Sequence, residues 1–374
     1  MRILHLFSDW KWTGPAEPAV QMSAGLNAKG IEVFFACQRP PANARQSILQ
    51  KLSGAKFHVI TDFNLAKGLK PLKGISDIKA IRKFIRDRHI DIVHTHTDHD
   101  HFIGGTAARG TEARIVRTNH KGVPFRTNIA ARYLINKLTD AYTTFTETGL
   151  IADNKNYPGR EDFFYKLNPS IDIGRFNAEG NCGNARKEFG ISANAAVAGI
   201  VARVQRHRKF DILFKAFKTA LKDMPEMRLM IIGRGTHINE LAVEPAKNMG
   251  LEHAVIFTGY RDVDYLSVLN TFDFKVFLVP GSDGTCRAVR EAMAMGKPVI
   301  ASNNGILPEM VENEKTGLVV KDTPEDLAEA MVKLAKNPEL RQRLGRNALI
   351  KANAEYNPQI QITQMFDVYI RTLK

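Results

Sequence analysis

Cysteine is scarce in this chain of 374 residues: three, Cys37, Cys182 and Cys286, lie far apart. That spacing gives neither a metal pattern nor a disulfide framework and points to a reducing cytosol. Cys286 reads as a small filler rather than a nucleophile, because no base stands near it in sequence. Long apolar runs are also missing; none approaches the roughly 20 residues of a membrane helix. The opening MRILHLFSDW reads as a short strand and not a leader peptide, since its apolar run is short and no small-residue cleavage site follows. There is no short-period repeat and no low-complexity tract. These absences leave a globular chain, and its length makes two domains the default expectation.

Positive charge is plentiful. Residues 1–170 hold 25 Lys/Arg against 15 Asp/Glu, and the remainder hold 28 against 24, for a net +14. A basic first half suits an anionic partner: a phospholipid surface, a lipid-linked acceptor or a phosphorylated saccharide. A solvated charged face is the alternative. Nucleic acid is the weaker reading, because no aromatic platform interleaves with the basic residues.

Short buried strands alternate with helical patterns. Arg2–Phe7, Ile31–Cys37, Lys56–Ile60, Asp91–Thr95, Arg114–Thr118 and Ala141–Thr146 read as strands, with helical spacing between most of them, as at Ser76–Arg88. The alternation pauses at Asn168–Gly190, rich in Gly and Asn, and resumes at Ala196–Val201, Met227–Ile232, Val255–Thr258, Phe274–Leu278 and Pro298–Ala301. Alternating βα units predict parallel, doubly wound sheets. The expected division is a first domain over 1–170, a linker over 171–194 and a second domain over 195–355. The final segment, Ile360–Leu373, has helical spacing.

Four stretches carry chemistry. Gly281-Ser-Asp-Gly-Thr285 follows a strand and feeds a helix, a turn whose free N–H groups suit a phosphate. Asp283 in that loop and Glu291 on the helix suit a ligand with many hydroxyls. Residues 202–211, ARVQRHRKFD, put Arg203, Arg208 and Lys209 just after a strand end, where cations meet a diphosphate. Asp91–His101 packs four His and three Asp into eleven residues, a density that invites a metal reading. His120 follows a strand in RTNHKG. Near the amino terminus, Trp10 and Trp12 fit two roles: stacking on a sugar or acyl chain, or capping the core.

The run from Val279 to Val320, VPGSDGTCRAVREAMAMGKPVIASNNGILPEMVENEKTGLVV, resembles the donor-site signature of retaining GT-B glycosyltransferases of the family 4 type (glycosyl transferases group 1). That family has Glu-x7-Glu; here Asp283 stands first, one methylene shorter, which bears on the donor sugar gripped. The family's Arg and Lys after the first strand of the second domain fall on Arg203 and Arg208. Its Gly-Gly turn is reduced to Gly14, followed by Pro15, which has no N–H. The family shows DIVH-x-H without metal, so His94–His101 carries no expected metal site.

The resemblance implies a GT-B fold, two Rossmann-like doubly wound parallel-sheet domains facing across a cleft, with a last helix within 356–374 packing back on the first domain. It implies a cytoplasmic or peripheral inner-membrane enzyme that transfers sugar with retention and without a cofactor. The donor is a nucleotide diphosphate sugar and the acceptor a saccharide or lipid-linked saccharide, as in cell-surface polysaccharide or lipopolysaccharide synthesis. Glu291 would hold ribose. Asp283, with the N–H groups of Gly284 and Thr285, would hold the sugar. Arg203, Arg208 and Lys209 would neutralise the diphosphate, and Gly14 would add a backbone contact. His120 would reach the donor, Tyr260 would border the base, and His96, His99 and Trp12 would meet the acceptor. Two rivals stand beside it: a sugar-nucleotide 2-epimerase and a non-catalytic nucleic-acid binder.

Overall fold

A computed structural model describes the chain except residues 45–46, 67, 69–70, 177–184 and 281–285. The described residues divide into two compact units. One contains Met1–Ser170 and Pro358–Lys374; the other runs from Ile171 to Asn357.

The first unit has strands β1 (Arg2–Phe7), β2 (Glu32–Cys37), β3 (His58–Ile60), β4 (Ile92–Thr95), β5 (Arg114–Thr118), β6 (Ala141–Thr144) and β7 (Phe164–Lys166). They form one parallel sheet in the order β3-β2-β1-β4-β5-β6-β7. Parallel strands are covered on both faces, so they read as unbroken apolar runs such as VFFAC. Alternate residues feed two cores: Ile3, Phe7, Val33 and Phe35 on one face, Leu4, Leu6, Phe34 and Ala36 on the other. The last helix, Pro358–Leu373, belongs to this unit and joins the first of those cores through Ile362, Met365, Val368 and Tyr369. That spacing lies on one helical face. Burying Ile362, Met365 and Val368 contributes about 1.5–3 kcal/mol each.

The second unit has strands β8 (Val197–Val201), β9 (Arg228–Ile232), β10 (Val255–Gly259), β11 (Phe274–Phe277), β12 (Val299–Ser302) and β13 (Gly317–Val320). They too are parallel, in the order β10-β9-β8-β11-β12-β13. Counted within the unit, that is the doubly wound order 3-2-1-4-5-6. The flanks of the described 171–194 segment pack on this unit, with Ile171, Phe176, Ala185 and Ile191 buried in its core.

Two strands, β7 and β13, are additions to the sequence reading. Both are edge strands of three or four residues. An edge strand needs only one neighbour, so little apolar signal marks it. Lys275 breaks the apolar rule in the other direction. It lies mid-strand on β11 and is wholly buried, and its Nζ bonds to no described residue. Among the described residues no helix is long and apolar enough to cross a membrane.

Candidate functional site

Doubly wound sheets bind ligands beyond the carboxyl ends of their strands, where the strand order reverses. In the second unit that point lies past β8 and β11. Arg203, two residues beyond β8, is exposed and lines a cavity of about 560 Å³ together with Val204, Arg206, Arg234, Gly235 and His237. It makes no ion pair with a described residue, so its charge is available to a ligand. Arg208 and Lys209 are placed differently. Arg208 Nη1 donates to the Val279 carbonyl at 2.7 Å, just before the 281–285 segment. Lys209, in a left-handed conformation with φ +56°, pairs through Nζ with Asp322. The same Asp322 oxygen accepts from Asn304 at 2.7 Å.

Gly233 and Gly235, just beyond β9, were not singled out in the sequence, although IIGRG carries them. A Cβ on Gly233 would stand 2.0 Å from the Ala202 carbonyl oxygen, and one on Gly235 2.3 Å from that of Val204. Real Cβ atoms do not approach so closely, so only glycine lets the loops after β8 and β9 lie together. That contact shapes the cavity around Arg203. Between the two glycines, Arg234 lies over the ring of Tyr260 at 4.7 Å, a cation–π contact on a half-exposed tyrosine.

Glu291 lies on the helix Arg287–Ala294 and is 5% exposed. Its carboxylate accepts from Arg287 Nε at 2.7 Å and from the Tyr265 hydroxyl at 2.5 Å. It is set more deeply than a surface clamp, with its orientation held from two sides. Asp283, Gly284 and Thr285 lie outside the described residues.

In the first unit the strand order reverses between β1 and β4. Here the parallel register pairs His5 with His94. His5 Nδ1 faces His96 Nε2 at 3.0 Å, and His96 Nδ1 faces His120 Nε2 at 3.1 Å. His94 bonds through Nδ1 to the Tyr369 hydroxyl at 2.6 Å and through Nε2 to Thr118 at 2.7 Å, which ties the last helix to the sheet. Burial keeps these rings neutral: it pulls His5 and His120 down to about 3, and His94 and His96 well below 6.5. The nitrogens of His5, His94 and His96 lie within 4.8 Å of one another, a spacing a metal ion could bridge. Asp100 is buried as well, and desolvation raises its carboxyl to about 7 although it accepts from the N–H groups of Ser8 and Thr97.

The remaining expected residues fall nearby in sequence but differ in access. His96 is 3% exposed with both nitrogens engaged, so it offers none to an acceptor directly. His99 is half-buried. Gly14 is exposed in the turn before the helix Ala16–Ala28, and Trp12 is half-buried against the first-unit core. Asp98, at the start of the helix Asp98–Ala108, pairs with Arg117 at 3.1 Å and Lys121 at 2.8 Å. His5 was not foreseen; it stands 91 residues from His96 in sequence.

Comparison with known proteins bears on both units. The family model of Glycosyltransferase Family 4 matches residues 14–148, and that of glycosyl transferases group 1 matches residues 183–350. A D-inositol 3-phosphate glycosyltransferase of Corynebacterium urealyticum is 31% identical over 221 residues, 56% of this chain and 50% of that one. The chain spans about half the length of the curated relatives of this type. A UDP-Gal:alpha-D-GlcNAc-diphosphoundecaprenol alpha-1,3-galactosyltransferase of Escherichia coli is 23% identical over 320 residues, 82% of each chain. Among solved structures, Anabaena Alr3699/HepE in complex with UDP and glucose superposes with a TM-score of 0.79 at 19% identity, over 99% of this chain and 100% of that one. A glycosyltransferase of Rickettsia africae superposes with 0.85 at 17% identity, covering 100% and 98%. With one family model on each unit and two doubly wound sheets beneath them, the chain belongs to the glycosyltransferases of the family 4 type and has the GT-B fold.

Proposed function

We propose that this protein transfers a sugar from a nucleotide diphosphate sugar to a saccharide or lipid-linked saccharide, with retention at the anomeric carbon and without a metal. The observation that carries this reading is the cavity at the carboxyl end of the second sheet. It is lined by Arg203 and Arg234, and glycine at 233 and 235 lets its two loops close together. Family membership favours transfer over the epimerase and nucleic-acid readings. A neighbouring structure, HepE, holds UDP and glucose, which supports a uridine nucleotide as the first donor to test. The galactosyltransferase relative acts on a lipid-linked saccharide by its name, and WaaB, another structural neighbour, on the lipopolysaccharide outer core. Both support an acceptor from cell-surface polysaccharide or lipopolysaccharide synthesis.

In this proposal Arg203 meets the diphosphate, where charge develops as the nucleotide leaves. Arg208 and Lys209 hold the loop ends through Val279 and Asp322 and add to the positive field. Glu291 holds the ribose hydroxyls, its carboxylate aimed by Arg287 and Tyr265. Tyr260 borders the base. Asp283, with Gly284 and Thr285, holds the sugar; His120 and Gly14 contact the donor. His99 and Trp12 meet the acceptor. A diphosphate that takes the acceptor proton during front-face attack needs no protein nucleophile. The test is a panel of nucleotides and nucleotide sugars read by thermal shift and by nucleotide release. Stabilisation by one nucleoside diphosphate and its sugars is expected. Stabilisation by none, with no release on addition of acceptor extracts, would contradict the proposal.

A further inference from the structure

Arg234 stands just beyond β9, between Gly233 and Gly235, and its side chain makes no hydrogen bond or ion pair with a described residue. Its guanidinium lies over the Tyr260 ring at 4.7 Å and lines the cavity shared with Arg203. Neighbouring cations are engaged instead. Arg206 pairs with Glu240, and Arg261 pairs with Glu188 and with Asp264 at 2.7 Å each while lying over Phe189. The backbone under Arg234 is fixed: its carbonyl accepts from the Val204 N–H at 3.1 Å, and the flanking glycines hold it against the loop after β8. A guanidinium resting on an aromatic face keeps N–H groups free, and those groups only donate.

The strand order places these donors. β8 lies next to the reversal, β9 one strand out and β10 the next. Arg203, Arg234 and Tyr260 follow those three strands in turn. Glu291 is joined to the same end. Its carboxylate accepts from Tyr265, which opens the helix Tyr265–Asn270, and Tyr260 lies in the loop leading to that helix. A nucleotide with its diphosphate at Arg203 and its ribose at Glu291 therefore has its base directed to Tyr260 and Arg234.

We propose that Arg234 is a specificity-determining residue that selects the base of the nucleotide sugar by donating to a ring carbonyl. Uracil and guanine present a carbonyl oxygen where cytosine and adenine present an amine. An amine set against a donor-only guanidinium leaves N–H groups on both sides unpaired, and that rejects the amino base. The proposal rests on the donor-site reading of the cavity given above and adds to it the class of base the cavity takes.

The test is isothermal titration of the full chain with UDP, CDP, GDP, ADP and inorganic pyrophosphate, wild type beside Arg234→Met. Within the pyrimidine or purine pair that binds, the carbonyl base is expected to bind about tenfold more tightly than the amino base. Arg234→Met is expected to bring that nucleotide down to the affinity of its amino partner, with pyrophosphate, held by Arg203, little affected. The variant is expected to keep a cooperative thermal transition, because the side chain bonds to no described residue. Equal affinity within the pair that binds overturns the proposal and leaves the donor-site reading standing. So does a preference that survives in Arg234→Met. Nucleotides of both kinds and pyrophosphate weakened alike by Arg234→Met would put the guanidinium on phosphate and overturn it too. Binding of no nucleoside diphosphate brings down the donor-site reading itself, and the proposal with it.

Discussion

Replacing Lys275 by Met is expected to stabilise the second unit. The amine is wholly buried on β11, with the ring of Phe277 at 5.8 Å and that of Phe272 at 6.0 Å. Desolvation pulls it from 10.5 to about 7, opposed only by the charge of Glu291. Each pH unit of that displacement is about 1.4 kcal/mol. At pH 7 the group therefore costs the fold about 4 kcal/mol. The sign follows from proton counts: between about 7 and 10.5 the unfolded chain binds the proton and the folded chain does not. Wild-type stability from this group therefore rises with pH over that window. Met has a similar length and no charge to bury, so the variant lacks the rise. Urea unfolding of both proteins, followed from pH 7 to pH 10, is the assay. The variant is expected to be more stable by about 4 kcal/mol at pH 7, the gap shrinking toward zero near pH 10. A gap that is absent, or that does not change with pH, would refute the reasoning.

Three further outcomes can be measured. Arg203→Ala is expected to weaken UDP binding about tenfold to a hundredfold, the loss of one charge-assisted contact, with unfolding unchanged because no described residue pairs with it. Gly235→Ala forces the Val204 carbonyl, 2.3 Å from the new Cβ, to move; calorimetry is expected to show weaker UDP binding. Acid is expected to destabilise the first unit: His5 and His120 titrate near 3 when folded and 6.5 when unfolded. The unfolded chain takes up more protons between those values, so stability falls as pH drops through that window, by about 2 kcal/mol per ring at pH 5. A His5→Phe variant whose urea midpoint falls as steeply from pH 7 to pH 5 would contradict this.

The fold was legible because parallel strands carry their apolar character on both faces, so runs such as VFFAC and LMII need no partner to be recognised. Edge strands β7 and β13 were not, because one covered side leaves a short and mixed signal. Arg203 and Glu291 could be named because a strand end and a helix start mark them locally. What surrounds them was out of reach. Lys209 pairs with Asp322, 113 residues on. His5 meets His96 only through the parallel register of β1 and β4. Gly233 and Gly235 were visible in IIGRG, but their need for close backbone approach appears only when two loops are seen together.

The central claim is tested most directly by UDP release in the presence of excess chelator, wild type beside Glu291→Gln, with UDP-glucose and UDP-galactose as donors and a lipid-linked saccharide as acceptor. Wild type is expected to release UDP only when acceptor is present. The variant, confirmed folded by its thermal transition, is expected to lose most of that release because its ribose contact is weakened. No acceptor-dependent release from any nucleotide sugar, release that needs an added metal, or a fully active Glu291→Gln protein would contradict the account.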